Sequence, residues 1–325
     1  MQNDLRPTRR HLLAAAAATG LLPRAAWAQT GGYPSRPIEL IVPAGAGGGT
    51  DVLARAFAEA AKKHLPQSIT VNNRPGASGM IGHGEMINAK PDGYKLAIVF
   101  AEIVIVPHLG LTKLSYEDFV PIAQLNADPA AITVKADAPW KTIEEFLAAS
   151  RAKPGDVKMG NSGNGSIWHL AHAALEDKVG VKVNPIPFGG AAPAVLALMG
   201  GHVDAVAVSP GEVATHVQSG KLRTLVVMAD RRLKGFESVP TLKERGIDLS
   251  IGTWRGLAAP KGTPADVLAV LSDATRKSAE EPLLKDALDR LSMGYSYADA
   301  ETFRANMRRD NELFKTLVNK LGIKA

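Results

Sequence analysis

The chain has 325 residues, a formal net charge of +6 and no cysteine, which excludes disulfides, thiol catalysis and thiolate metal sites. A length of this order suggests two domains rather than one. Arg6, Arg9, Arg10 and Arg24 against Asp4 supply half of the positive excess, all within the first 28 residues. What remains is too small and too dispersed to argue for nucleic acid.

Those first residues read as an export signal. Arg6, Arg9 and Arg10 form a basic segment, residues 12–22 an alanine- and leucine-rich run, and Ala26-Trp27-Ala28 a small–x–small cleavage pattern. The run is too short to span a bilayer. Arg9-Arg10 before Leu12-Leu13 fits a twin-arginine signal, and an ordinary secretory signal fits equally well. Residues 1–28 are expected to be removed, with the mature chain starting near Gln29. No cysteine follows that point to carry a lipid anchor, and no later stretch is apolar enough to cross a membrane.

From there the pattern is strand, glycine-rich turn, helix, repeated. Residues 38–42 predict a strand, 51–64 a helix, 69–71 a strand, 80–88 a helix and 95–100 a strand. After Pro139, Thr142-Ile143-Glu144-Glu145 opens a helix to about Ala152 as a capping box. Strands follow at 157–159, 184–187, 203–208 and 223–228, with helices through Leu175 and over 193–199. From Pro264 the chain predicts helix almost to its end, broken near Gly294. Alternation of this kind argues for parallel sheets covered by helices. The two α/β halves predict two lobes, with the C-terminal segment packed back on the first, two crossovers and a hinge. The expected division is residues 29–131 with 256–325 as one lobe and 132–255 as the other.

Four loops carry the chemistry: Ala44-Gly45-Ala46-Gly47-Gly48-Gly49-Thr50-Asp51, Pro75-Gly76-Ala77-Ser78-Gly79, Ser162-Gly163-Asn164-Gly165-Ser166 and Phe188-Gly189-Gly190-Ala191-Ala192. Each follows a predicted strand and precedes a predicted helix, which places it at the ligand-binding edge of an open α/β sheet. Glycine lets backbone approach a ligand, and exposed N–H groups at a helix start suit an anion. Thr50, Ser78, Ser162 and Ser166 add hydroxyls, and each hydrogen bond to an ionised acceptor is worth about 1.5–3 kcal/mol. Tight βα turns alone would also call for glycine; two such loops in each half favour a shared cleft.

Enzyme readings find weak support in the same residues. Gly45-x-Gly47-x-x-Thr50 lacks the third glycine of a dinucleotide fingerprint, and no Gly-Lys-Ser/Thr of a phosphate loop occurs. Gly160-Asn161-Ser162-Gly163-Asn164 misses the last glycine of a nucleophile elbow. His169 and His172 lie three apart on one helix without an acidic residue on that face within a turn, so packing or capping is favoured over a metal. No catalytic residue, metal or cofactor is expected. The rival reading is a secreted hydrolase or isomerase using His169 and Asp204 across the cleft.

Taken in order and spacing, the residues resemble the substrate-binding proteins of tripartite tricarboxylate transporters, the Bug family. The matching segments include Tyr33-Pro34-Ser35-Arg36-Pro37-Ile38, Val42 to Asp51, Asn73-Arg74-Pro75-Gly76-Ala77-Ser78-Gly79 and Pro91-Asp92-Gly93-Tyr94. Gly163 to Ser166 with His169-Leu170, Gly200-Gly201-His202-Val203-Asp204 and Ala259-Pro260-Lys261-Gly262-Thr263-Pro264 continue it. The resemblance implies a two-lobed periplasmic-binding-protein fold, α/β with parallel or mixed sheets flanked by helices and a hinge between lobes. It implies a periplasmic solute-binding protein, monomeric by default, that closes on a small organic acid and presents it to an inner-membrane permease. A sensor kinase as partner would leave the site unchanged.

Carried over, the first pincer is Ala46, Gly47, Gly48, Gly49, Thr50 and Asp51, and the second Phe188, Gly189, Gly190, Ala191 and Ala192. Ala77, Ser78, Gly79, Ser162, Asn164, Gly165, Ser166 and His169 would line the same cleft, and Asp204 would hold bridging waters or the pincer backbone. Three positions depart from the family pattern. Phe188 stands where relatives have a phenol. Glu102 facing the cleft would repel a second carboxylate or pair with an amino or hydroxyl group; facing solvent it would do neither. Trp168 would either stack on an aromatic ligand or pack between helices.

Overall fold

The computed structural model describes residues 32–322, so the expected export signal lies outside the described residues. Two mixed β-sheets flanked by helices make up the fold. The first begins with three parallel strands: β1 (Ile38–Val42) lies between β2 (Ile69–Asn73) and β3 (Lys95–Phe100). β1 and β3 are buried along almost their whole length, as strands covered on both faces must be. Between β1 and β2, α1 (Gly49–Ala61) turns Leu53, Ala54, Phe57, Ala60 and Ala61 inward and Arg55 and Glu59 outward. α2 (Met80–Ile87) joins β2 to β3.

Three antiparallel strands complete this sheet: β4 (Phe119–Pro129), β10 (Gly252–Pro260) and β11 (Tyr295–Asp299). Its order is β11-β4-β10-β3-β1-β2. The second sheet contains β5 (Ala131–Lys135), β6 (Lys158–Asn161), β7 (Asn184–Pro187), β8 (Ala205–Val208) and β9 (Leu222–Val227), in the order β7-β6-β8-β5-β9. β6, β7 and β8 are parallel, whereas β5 runs against β8 and β9. Its helices are α3 (Ile143–Ala152), α4 (Ile167–Val179), α5 (Ala191–Met199) and α6 (Pro210–Gln218). The C-terminal segment supplies α7 (Ala265–Glu280), α8 (Pro282–Arg290) and α9 (Ala300–Leu321).

Parallel pairing therefore holds within β1–β3 and within β6–β8, and the long strands β4 and β10 pair antiparallel. The break near Gly294, expected within a helical tail, is strand β11. It is a five-residue, half-exposed edge strand paired with β4, too short for alternation to announce it.

The chain leaves the first sheet at Pro129 and enters the second at Ala131, with Ala130 the single residue between. It returns between Val227 and Gly252. The crossings are tied by backbone alone: Ala130 donates to Ile251 (2.9 Å), Met228 to Ala130 (2.8 Å) and Ile251 to Met228 (3.0 Å). All three residues are buried. Neighbouring residues on β10 then reach opposite faces of the sheet. Trp254 donates from Nε1 to Asp310 on α9 (2.9 Å), and Arg255 donates from Nε to Thr50 at the start of α1 (2.9 Å).

The carboxyl ends of β1 and β3 point toward the second sheet, since β4, parallel to β3, continues past them into it. Contacts between the two halves are close. A Cβ on Gly165, before α4, would lie 2.6 Å from Leu109, and one on Gly211 in α6 would lie 2.6 Å from the Leu291 carbonyl. Lys320 of α9 pairs with Asp177 of α4 at 2.7 Å.

Candidate functional site

The loop between β1 and α1 is exposed from Gly45 to Gly48, and Gly47 sits at φ +81, a conformation that favours glycine. Asp51 folds back to build this loop. Its Oδ2 accepts from Gly47 N (2.9 Å) and Arg55 Nε (3.0 Å), and its Oδ1 from Asn73 Nδ2 (3.0 Å). Burial would raise this carboxyl, but the bonds from Arg55, Gly47 and Asn73 outweigh it and hold it below its usual range. The Thr50 hydroxyl is likewise taken up by Arg255. Gly48 is the N-cap of α1 and no side chain caps the helix. The N–H groups of its first turn therefore lack intrahelical acceptors beneath an exposed loop.

The loop after β7 has the same construction. Phe188 N donates to Asn161 O (3.0 Å), and the Phe188 ring lies over Gly160 of the neighbouring strand. Gly189 is exposed with open space around it, and Gly190, at φ +147, is the N-cap of α5 without a side-chain cap. The two pincer segments are thus bare helix starts at the carboxyl edges of the two sheets.

The other two loops are built differently. In the first half, Gly76, Ala77, Ser78 and Gly79 all have positive φ, and at the non-glycines Ala77 (48°) and Ser78 (53°) this is strained. Ala77 and Ser78 are exposed, while Gly79 is buried against Phe100. The loop before α4 satisfies itself. Asn161 Oδ1 accepts from Gly163 N (2.9 Å), His169 Nδ1 from Gly165 N (2.9 Å), and Ser166 Oγ from His169 N (3.2 Å). Accepting at Nδ1 requires a neutral imidazole. Burial, aided by neighbouring His172, lowers His169 to about 4 against the pull of Glu176. His172 in turn bonds Glu176 at 2.7 Å. Ser162 is half-buried and Asn164 exposed. His169 braces the loop, and Glu176, one turn beyond His172, is an acidic residue on that face, contrary to the expectation from sequence.

Two expected residues stand elsewhere. Trp168 is 5 % exposed and belongs to the hydrophobic core, so it packs between helices. Asp204 precedes β8, and its Oδ2 accepts from Lys158 N (2.8 Å) at the start of β6. Because β6 and β8 are parallel, that is the edge opposite the loops, and Asp204 does not join the cleft group.

Glu102 lies in the turn Ala101–Val104 at the carboxyl end of β3, half-buried. Burial raises its carboxyl, opposed by its own backbone N–H and by the charge of Arg255. Arg255 was not singled out from sequence, nor were the residues around it. It donates from Nη1 to Asp128 Oδ2 (2.7 Å), which also accepts from Asn126 Nδ2 (3.0 Å), while Asp128 Oδ1 accepts from Gly294 N (2.9 Å). From the second half, Glu212 at the start of α6 accepts from Ser209 N (2.8 Å) and remains open to solvent. Crowding by protein raises it to about 7, against its Ser209 bond and the charge of Arg255. The available signal was an arginine inside the apolar strand Gly252–Pro260, which requires a partner.

The geometry is matched by known proteins. The family model described as tripartite tricarboxylate transporter family receptor (TctC) matches residues 53–323. A protein of Cupriavidus necator, described as UPF0065 protein in gbd 5'region, is 36% identical over 324 residues, covering 97% of this chain and 98% of its own. The crystal structure of a TctC solute-binding protein from Polaromonas, without ligand, superimposes with a TM-score of 0.80 at 62% identity, covering 89% of this chain and 99% of that one. MatC from Rhodopseudomonas palustris, solved with bound malate, gives 0.74 at 26% identity over 88% of this chain and 100% of its own. With the family model spanning most of the sequence and both sheets reproduced in its relatives, the chain belongs to the tripartite tricarboxylate transporter receptor family of solute-binding proteins, and not to an enzyme family.

Proposed function

We propose that the chain captures a small organic carboxylate in the periplasm, between the Gly45–Gly48 loop and the Gly189–Gly190 loop, and delivers it to a membrane permease. One observation carries this reading: α1 and α5, at the carboxyl edges of different sheets, both begin on glycine with no side-chain cap. Thr142, Ser166 and Asp299 cap α3, α4 and α9, whereas α7 and α8 have no side-chain cap and α2 begins after Gly79 without one, on the same edge of the first sheet as α1. Bare helix starts offer N–H donors and a partial positive charge to an anion. The malate bound to MatC is an acid of this class.

The lobes are the two sheet-bearing halves, hinged at the Ala130, Met228 and Ile251 bonds. A ligand held by loops of both halves stabilises the closed form, because only that form offers both sets of contacts. A permease can then tell loaded from empty protein. Thermal-shift measurement against a panel of organic acids, with native mass spectrometry for a co-purified ligand, tests the reading. A saturable rise in melting temperature with particular acids and no turnover is expected. Turnover of an acid, or no response to any carboxylate, refutes it.

A further inference from the structure

A cavity of about 260 Å³ lies at the joint of the two halves, and no residue of the glycine loops lines it. Its volume suits a small molecule, whose sites usually measure about 300–1,000 Å³. The ends of β4 and β10 and the turn entering β11 wall it from the first half, and the segment after β9 from the second. Met228 and Ile251, whose backbone bonds tie the crossings, line it together with Trp254 and Phe314, and all four are buried. Tyr295 adds a third aromatic ring. Walls of this kind receive a flat apolar body.

The polar groups of the same cavity are not all satisfied. Its three aspartates each have a cation: Asp128 pairs with Arg255 (2.7 Å), Asp310 with Arg309 (2.9 Å) and Asp230 with Lys243 (3.5 Å). Arg231 is the guanidinium left over. It lines the cavity from an exposed position and makes no ion pair or side-chain hydrogen bond among the described residues. Thr253 is a second unmet group. It is only 6 % exposed, and its hydroxyl has no hydrogen-bond partner among the described residues. A guanidinium presents paired N–H donors that match a carboxylate, and a hydroxyl adds one more donor.

We propose that this cavity is a second binding site, for an aromatic monocarboxylate: the ring lies among Met228, Trp254 and Phe314, and the carboxylate meets Arg231. A second carboxylate on the ligand would fall among the three aspartates, where like charge disfavours it. The site does not depend on the carboxylate grip of the glycine loops.

The probe is 4-bromobenzoate, measured by calorimetry and located in crystals by the anomalous signal of bromine. Gly48→Val protein, with its first glycine loop obstructed, should still bind one probe per chain, with bromine between Trp254 and Phe314. In that background Arg231→Gln should weaken binding at least about tenfold, the value of one charge-assisted hydrogen bond. Ser250→Trp, which fills the cavity, should abolish binding. Arg231 and Ser250 are both exposed, so neither change disturbs the core. Bromine in wild-type crystals decides the matter should Gly48→Val unfold. No binding, bromine outside the cavity, or undiminished binding after either second change overturns the proposal. Loss of small-acid binding in Gly48→Val with the probe still bound separates this site from the glycine-loop grip.

Discussion

Gly48→Val separates binding from folding. Gly48 has φ −77 and ψ 168, an ordinary extended conformation, and a Cβ there would meet only the Gly45 carbonyl, at 3.6 Å. Valine is a poorer N-cap than glycine by about 0.5–1 kcal/mol. A stiffer unfolded chain returns about 0.4–1 kcal/mol. The terms nearly cancel, and the melting temperature should move by less than about 4 °C. The ligand meets a different obstacle, since the side chain stands over the bare start of α1. Loss of two charge-assisted bonds there costs about 3–6 kcal/mol, roughly a hundred- to ten-thousandfold in affinity. Scanning fluorimetry with and without the best acid, followed by calorimetry, reads both quantities. Retained ligand stabilisation would remove the first loop from the site. A melting temperature lower by many degrees would show that the loop cannot accept a Cβ.

Arg255→Met should cost about 3 kcal/mol or more by leaving Asp128 buried without its cation; a loss below about 1 kcal/mol in urea unfolding would show that its two other donors, Asn126 and Gly294, suffice. Gly211→Ala drives a methyl group toward the Leu291 and Ser292 carbonyls, 2.6 and 3.0 Å from the Cβ position. It should destabilise by about 1–3 kcal/mol and enlarge the radius of gyration in X-ray scattering, and an unchanged radius would mean that the halves do not touch there in solution. His83 is fully buried beside Phe100 (ring centroids 4.8 Å apart), and neither nitrogen makes a well-formed hydrogen bond. Burial, slightly opposed by the Ile98 backbone, lowers it to about 3. Its folded value lies below the unfolded value near 6.5, so stability is complete above that pH and is lost as pH falls toward the folded value. The loss at pH 5 is about 2 kcal/mol. His83→Leu should abolish that part of the acid sensitivity, and an identical pH–stability slope in the variant would refute it.

Much of the fold was legible because its parallel strands and helices are local. β1, α1, β2, α2 and β3 arise from continuous patterns punctuated by glycine, and the same applies from β6 to α5. The long strands β4 and β10 escaped because their character is tertiary. They are buried by each other and by α9, and neither has a turn signature at the point where it changes sheet. The site divides in the same way. Glycine loops announce themselves by composition, whereas Arg255 lies far along the sequence from Asn126 and Asp128 and meets them only in the fold. Asp204 shows the converse error. It is close in sequence to the second pincer, but a residue that opens a parallel strand lies a full strand length from one that closes its neighbour. Thr50 and Asp51 are intermediate: they lie at the end of a glycine loop, but their side chains are spent on shaping it.

The single residue between β4 and β5 has a consequence for the thermodynamics of capture. Pro129 has a fixed φ, Ala130 has both its N–H and its carbonyl engaged, and Ala131 already belongs to the next strand. In the hinged reading proposed above, movement between the halves would pass through a few backbone torsions here and through the return segment between Val227 and Gly252. Freezing one residue costs about 1–2 kcal/mol of conformational entropy, so a joint this short has little disorder to surrender when the lobes come together. Most of the free energy gained at the loops can then appear as affinity, and a small acid with few contacts can still drive the closure.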